Sequence, residues 1–345
     1  MKGKILWVVV NICRLAVSAT FIFSGFIKLV DPHGTEYKIQ DYLVALQLDS
    51  LMSVSLLPLI LAVLLAVVEF CVGVYLLFSI RRRTTLSAIL LMMLVYMPLT
   101  FWLAMSDAVS DCGCFGDVLH LTNWQTFEKN VVVFLMAILM WFQRRRLTRL
   151  ISESAQWIVS LTALLGALVL SGYSLYYEPV IDFRPFHVGQ HIPTAMQWPE
   201  DPEQVPEILD FTIEPLNDDT PIPDVEELLT EDSYTFLLTF PHLTTADDTN
   251  MDQFNALYDF AHQHGCRFLA LTADGEKMVK RWCDLTGAEY DFAFMDELTL
   301  KTIARSNPAL VLLHRGTIIG KWSHRQLPSE QQLEAIMAAE PLKKY

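Results

Sequence analysis

The chain has 345 residues, of which 52% are hydrophobic and only 19% charged, a balance that excludes a wholly water-soluble protein. Charge is unevenly divided: residues 1–177 hold 13 Lys and Arg against 10 Asp and Glu, whereas 178–345 hold 12 against 29. A membrane half followed by an acidic, soluble half is implied, and an acidic domain of this kind repels nucleic acid and anionic lipid, so neither is expected as its partner.

A helix needs roughly 20 apolar residues to cross the hydrocarbon core. Five stretches approach or pass that length, at about 5–29, 54–80, 85–106, 129–143 and 156–177. Two lysines precede the first, as in a secretory leader whose cleavage would leave four spans. Its apolar run continues well past a typical leader core, so a retained span is expected. Lys2 and Lys4, then Arg81 to Arg83, then Arg144 to Arg146 with Arg149 fall at alternate ends of successive spans. All three groups can be cytoplasmic together, which places the N-terminus inside, loops 30–53 and 107–128 outside, and everything after Tyr177 outside. The expected location is the cytoplasmic (inner) membrane, with the C-terminal domain periplasmic and the lipid bilayer as first partner.

Arg14 and Glu69 fall well inside their spans, where an unpaired charge is costly. Counted from residues 5 and 80 at 1.5 Å per residue, they reach depths of roughly 14 and 16 Å, so an ion pair between the first two spans is expected. Cys13 and Cys71 share that depth, but helical phase keeps both pairs from meeting across one interface, and buried cysteine acting as a small hydrophobe is the expected state of each.

The loop after the third span reads Asp111-Cys112-Gly113-Cys114-Phe115-Gly116-Asp117. Two cysteines one residue apart can close a small strained disulfide, with Gly relieving the backbone, and strained disulfides are the more easily reduced. An extracytoplasmic compartment permits the oxidation. Spacing alone leaves three readings open: redox exchange, a static brace, and two ligands of a metal site completed by Asp111, Asp117 or His120.

The run Phe23-Ser24-Gly25-Phe26-Ile27-Lys28-Leu29-Val30-Asp31-Pro32, the Tyr37-Lys38-Ile39 segment, and the Cys-Gly-Cys-Phe-Gly block with Asn123-Trp124 resemble the DoxX/MauE superfamily, in particular the DoxX-like proteins of Bacteroidetes with an added C-terminal domain. The resemblance covers roughly 5–145. It implies a four-helix bundle related in architecture to vitamin K epoxide reductase, with the fifth span as a tether. MauE is associated with maturation of the disulfide-rich methylamine dehydrogenase and DoxX proteins with quinone-linked sulfur oxidation, and neither substrate transfers to this chain. What carries over is Cys112 and Cys114 as the redox pair.

Beyond the spans, residues 178–205 are rich in Pro and acid and read as an extended linker. Strands are expected at about 209–213, 234–240, 266–272, 290–295, 309–314 and 317–322, and helices at about 249–264, 275–286, 298–305 and 329–339. Strands alternating with helices and closed by a hairpin at Arg315-Gly316 describe an α/β sandwich with a mixed sheet. This order resembles the thioredoxin-like fold over roughly 206–340, with Ile208 to Ile213 similar to its opening strand and Asn307-Pro308 at its cis-proline position. The family's thiols follow the strand ending here at Phe240, but this chain reads Pro241-His242-Leu243-Thr244-Thr245-Ala246-Asp247. Such a domain cannot run thioredoxin chemistry, and binding a client is its expected task. Cys266 and Cys283 approach the same sheet edge, as a structural disulfide or as buried thiols.

The expected organisation is therefore a membrane α-helical bundle over 1–150, a fifth span over 151–178, a linker over 179–205 and an extracytoplasmic thioredoxin-like domain over 206–345. The leading functional expectation is extracytoplasmic thiol–disulfide exchange or electron transfer through Cys112 and Cys114, with a thiol or disulfide protein as client and a quinone as the only cofactor suggested. A non-enzymatic scaffold with an inactive docking domain is the alternative. A transporter or metal-handling bundle using Glu69 and the two cysteines is a third reading. The sequence carries no dinucleotide-binding glycine motif, haem attachment motif or nucleophile elbow.

Overall fold

The protein is described by a computed structural model, which covers residues 2–48, 50–51, 56–109, 113–119, 121–200, 205–217 and 224–339. The chain forms two units, Met1–Leu175 and Tyr176–Tyr345.

Within the described residues of the first unit, five helices are long and apolar enough to cross a membrane. They are α1 (Lys2–Val30), α3 (Leu57–Leu77), α4 (Arg82–Ser106), α5 (Asn123–Phe142) and α6 (Gln156–Tyr176). A further helix, α2 (Pro32–Ala45), occupies the expected loop 30–53. Asp31 starts it by accepting the Gly34 N–H, and Pro32 takes the first turn, where its missing donor costs nothing. The fourth span begins at Asn123 rather than near 129 because Thr122 and Gln125 form a reciprocal capping box.

Helices α1 and α3 are the most extensively packed pair of the unit. Glycine sets their approach: a methyl on Gly25 would lie 2.4 Å from the Phe70 nitrogen, and one on Gly73 2.7 Å from the Ile22 nitrogen. The antiparallel register that follows pairs 25 with 70 and 22 with 73. Continued along the helices, it puts Arg14 level with residue 81 and Glu69 level with residue 26.

The expected Arg14–Glu69 pair is therefore wrong. Residues 5 and 80 are not level: in this register residue 80 lies beside residue 15, about ten residues along α1 from residue 5. Arg14 instead donates to Ser79 Oγ at 3.1 Å and to the Thr148 carbonyl at 2.8 Å. The same offset separates Cys13 from Cys71, and both are buried thiols in different apolar clusters.

The second unit is built on a six-stranded sheet, in the order β1-β4-β3-β2-β5-β6. Its strands are β1 (Glu214–Pro215), β2 (Tyr234–Phe240), β3 (Arg267–Thr272), β4 (Asp291–Phe294), β5 (Ala309–His314) and β6 (Thr317–Ser323). Strands β2, β3 and β4 are parallel, while β1, β5 and β6 each run antiparallel to a neighbour. Side-chain alternation distributes two cores. Phe236, Leu238 and Phe240 face α9 (Met251–Gln263), α10 (Glu276–Thr286) and α12 (Glu330–Ala339). Leu237, Leu269 and Val311 face the other way, toward α8 (Val225–Thr230) and α11 (Glu297–Ile303).

Two expectations change here. The stretch expected as an opening strand, 209–213, pairs with no strand; Ile208, Phe211 and Ile213 are buried, and the ladder is confined to β1. The segment read as a linker is packed into the unit. Phe186 and Ile192 join the second core, the latter from the one-turn helix α7 (Ile192–Ala195), and His191 bridges to Thr317. Arg184 is buried against Glu178 and Asp182, and Asp182 also takes Lys321 at 2.7 Å. Cys266 and Cys283 are separate free thiols, and burial pushes both up from the ordinary cysteine value.

Candidate functional site

The loop that follows α4 is seated on the last turns of α1. Phe115 is buried against Phe23, with ring centroids 5.5 Å apart, and Lys129 Nζ lies 4.3 Å from the Phe115 ring centre. Two glycines with positive φ allow the seat. A methyl on Gly116 would meet Ile27 at 2.9 Å, and one on Gly113 would meet Lys38 of α2 at the same distance. Asn123, at the start of α5, closes the other side by donating to Asp107 Oδ1 and the Val109 carbonyl. The separate sequence blocks that carried the resemblance thus converge on one place.

Beneath the loop is a buried polar cluster. Lys28 Nζ donates to Glu69 Oε2 at 2.7 Å, to Ser24 Oγ at 2.7 Å and to the Cys114 carbonyl at 3.2 Å. Ser24 Oγ stands 2.6 Å from the same carbonyl and 3.0 Å from Glu69 Oε1, so its single hydrogen is shared between them. All three side chains are under a tenth exposed. Ser24 and Lys28 are one helical turn apart and share a face of α1. The Gly25–Phe70 approach brings Glu69 onto that face. The result is a charge-paired station whose free hydrogen-bonding capacity is turned on the backbone of Cys114, itself half-buried.

Sequence reasoning singled out Glu69 and Cys114 but missed Ser24 and Lys28 as its partners. The signal was present as two polar residues four apart in an apolar helix, flanking a glycine. Cys112, Asp111 and His120 lie outside the described residues, so the geometry of the cysteine pair and of the metal alternative is not described.

In the second unit, the position after β2 where thiols were sought holds a braced turn. Asn307 Nδ2 donates to the His242 carbonyl at 2.8 Å, the Asp247 N–H donates to the Asn307 carbonyl at 3.0 Å, and the Asn307–Pro308 peptide is cis. A Ser–His–Asp series runs beside it: Ser306 Oγ is 2.8 Å from His324 Nδ1, and His324 Nε2 is 3.1 Å from Asp247. Ser306 Oγ also sits 2.8 Å from the Pro308 carbonyl, inside the core, so the series is a brace and not a nucleophile. The Thr249 hydroxyl and N–H, with His324, hold the Asp247 carboxyl down to about 2. Burial, then the neighbouring Arg325, lowers His324. Burial and Arg184 push the Lys321 ammonium down to about 8 despite Asp182.

No curated protein and no solved structure matches the chain. Residues 6–143 match the family described as methylamine utilisation protein MauE, a stretch that takes in the first four apolar helices and the cysteine loop, and the N-terminal region is thus similar to a MauE-type membrane protein with several apolar helices.

Proposed function

We propose that Cys112 and Cys114 form the redox pair of an extracytoplasmic thiol–disulfide exchange protein. The observation that carries this reading is the Ser24–Lys28–Glu69 station, which fixes the Cys114 backbone at the end of the bundle opposite the arginine-rich loops. Those arginines favour the cytoplasm, which supports a cysteine loop on the oxidising side of an inner membrane.

The chemistry is a two-electron exchange. A client thiolate attacks Cys112 Sγ of the Cys112–Cys114 disulfide and releases Cys114 as thiolate; a second client thiolate then attacks the mixed disulfide at the client sulfur and frees Cys112. The client leaves oxidised, the pair is left as a dithiol, and two electrons with two protons pass on to a quinone or a partner disulfide. The second unit supplies client binding on a thioredoxin-like frame. Its β3-β2-β5-β6 order with β5 and β6 antiparallel, and the cis Asn307–Pro308 peptide beside the turn after β2, support that reading.

The test is redox-dependent labelling of Cys112 and Cys114 in membranes with a thiol-reactive mass tag. Reversible protection that disappears in the Cys112→Ser and Cys114→Ser variants is expected; labelling indifferent to oxidant and reductant overturns the proposal. A second reading, a membrane scaffold with a docking domain, draws on the missing thiols after β2. Full function of the Cys112→Ser, Cys114→Ser double variant in cells is the result that favours it.

A further inference from the structure

The other end of the bundle carries an imbalance of charge that neither the cysteine chemistry nor client binding uses. Arg14 is 5% exposed and, among the described residues, touches no carboxylate; its two hydrogen bonds go to Ser79 and the Thr148 carbonyl, and its Nε is buried without an acceptor. Arg82, the half-buried first residue of α4, likewise has a buried Nε without an acceptor and lies within interaction range of the Arg14 and Arg149 charges. Among the described residues Arg149 pairs with one carboxylate, that of the exposed Glu153. Arg82 thus feels two other guanidinium groups, and of the three only Arg149 has a carboxylate partner among the described residues. The start of α4 adds to the field, because its N-cap, Arg81, offers no side-chain acceptor to the first-turn N–H groups.

A buried arginine with unspent donors at the edge of an apolar bundle is costly unless an anion completes it. Guanidinium groups match phosphate oxygens in geometry, and basic pockets between spans are suited to anionic lipid headgroups. The bundle around this end is apolar on its outside: Ile12 and Leu15 on the outer face of α1, and Leu150 after Arg149, are each about half exposed. Phosphate chemistry next to exposed aliphatic side chains fits a molecule with both parts. We infer that Arg14, Arg82 and Arg149 form a binding site for the phosphate headgroup of an anionic membrane lipid, with its acyl chains against the exposed aliphatic side chains of the bundle.

The test uses the full-length protein in detergent and native mass spectrometry of retained lipid, comparing phosphatidylglycerol with phosphatidylcholine of the same acyl chains. Preference for phosphatidylglycerol is expected, and Arg82→Gln should reduce that preference about fivefold. This corresponds to roughly 1 kcal/mol for one basic residue at a membrane surface. The Arg82 side chain makes no hydrogen bond among the described residues, so Arg82→Gln leaves packing intact where Arg14→Gln risks misfolding. The exposed neighbour Arg83→Gln should leave the preference unchanged. An unchanged preference in an Arg82→Gln, Arg149→Gln double variant overturns the site, and an equal loss in Arg83→Gln overturns it in favour of diffuse surface charge. Displacement of the lipid by millimolar inorganic phosphate overturns the lipid assignment in favour of a soluble anion.

Discussion

Removing either half of the Lys28–Glu69 pair should destabilise the first unit far more than removing both. At 2.7 Å the two charges attract by about 6 kcal/mol at an effective dielectric of about 20, much of it offset by their desolvation. Glu69→Gln takes the 2.7 Å carboxylate partner from an ammonium in a site 7% exposed, beside Ser24 and the Cys114 carbonyl. Breaking a buried pair in this way costs about 3–5 kcal/mol. The lower end applies here because Lys28 is two residues from the end of α1, and its stem can carry the ammonium toward the interface. Lys28→Met should cost a similar amount by stranding the carboxylate. A Lys28→Met, Glu69→Leu double variant removes both charges and should cost about 1–2 kcal/mol, so the double-mutant cycle should return a coupling of at least about 2 kcal/mol. Reversible unfolding in mixed micelles measures the energies, and alkylation of Cys114, expected to accelerate in the single variants as its carbonyl loses its anchors, links them to the loop. Single variants that each cost under about 1 kcal/mol and add in the double would refute the buried-pair account.

Gly25→Val should lower the stability of the solubilised protein by at least about 1–3 kcal/mol, because the new Cβ meets backbone that cannot yield; an unchanged thermal midpoint would show that the helices do not approach as described. In the second unit, Asp247 is held at about 2 against an ordinary 3.8, so its contribution is present above pH 3.8 and lost as pH falls toward 2. With more than a quarter of the side chain exposed, solvent screening reduces that contribution to about 1 kcal/mol. Urea midpoints followed by proteolysis of this unit should therefore fall between pH 4 and 2 in the parent and fall less in Asp247→Asn.

Parts of the architecture were legible because they depend on local periodicity. Five apolar runs gave five long helices, and the short, nearly continuous apolar runs from Tyr234 to Phe240 and from Ala309 to His314 located two central strands. The helix at 32–45 was missed although its signals, Asp31 followed by Pro32, were in plain view, because its low hydrophobicity made the segment read as a loop. The early start of α5 was hidden by Glu128 and Lys129, which interrupt the apolar run without interrupting the helix. Residues 186–195 lack any period, yet Phe186 and Ile192 are core residues, since a segment can be buried by what it lies against without repeating.

The number of long apolar helices, five of the six strands and the absence of a thiol after Phe240 follow from the sequence by itself, since each is a property of a single stretch of chain. Which charge meets which does not. Glu69 pairs with Lys28 and not Arg14 because two glycines let α1 and α3 touch in a register that no count from either helix end reveals. That register placed Ser24, Lys28 and Glu69 under the Cys114 carbonyl and left Arg14 at the other end of the bundle, among the arginines.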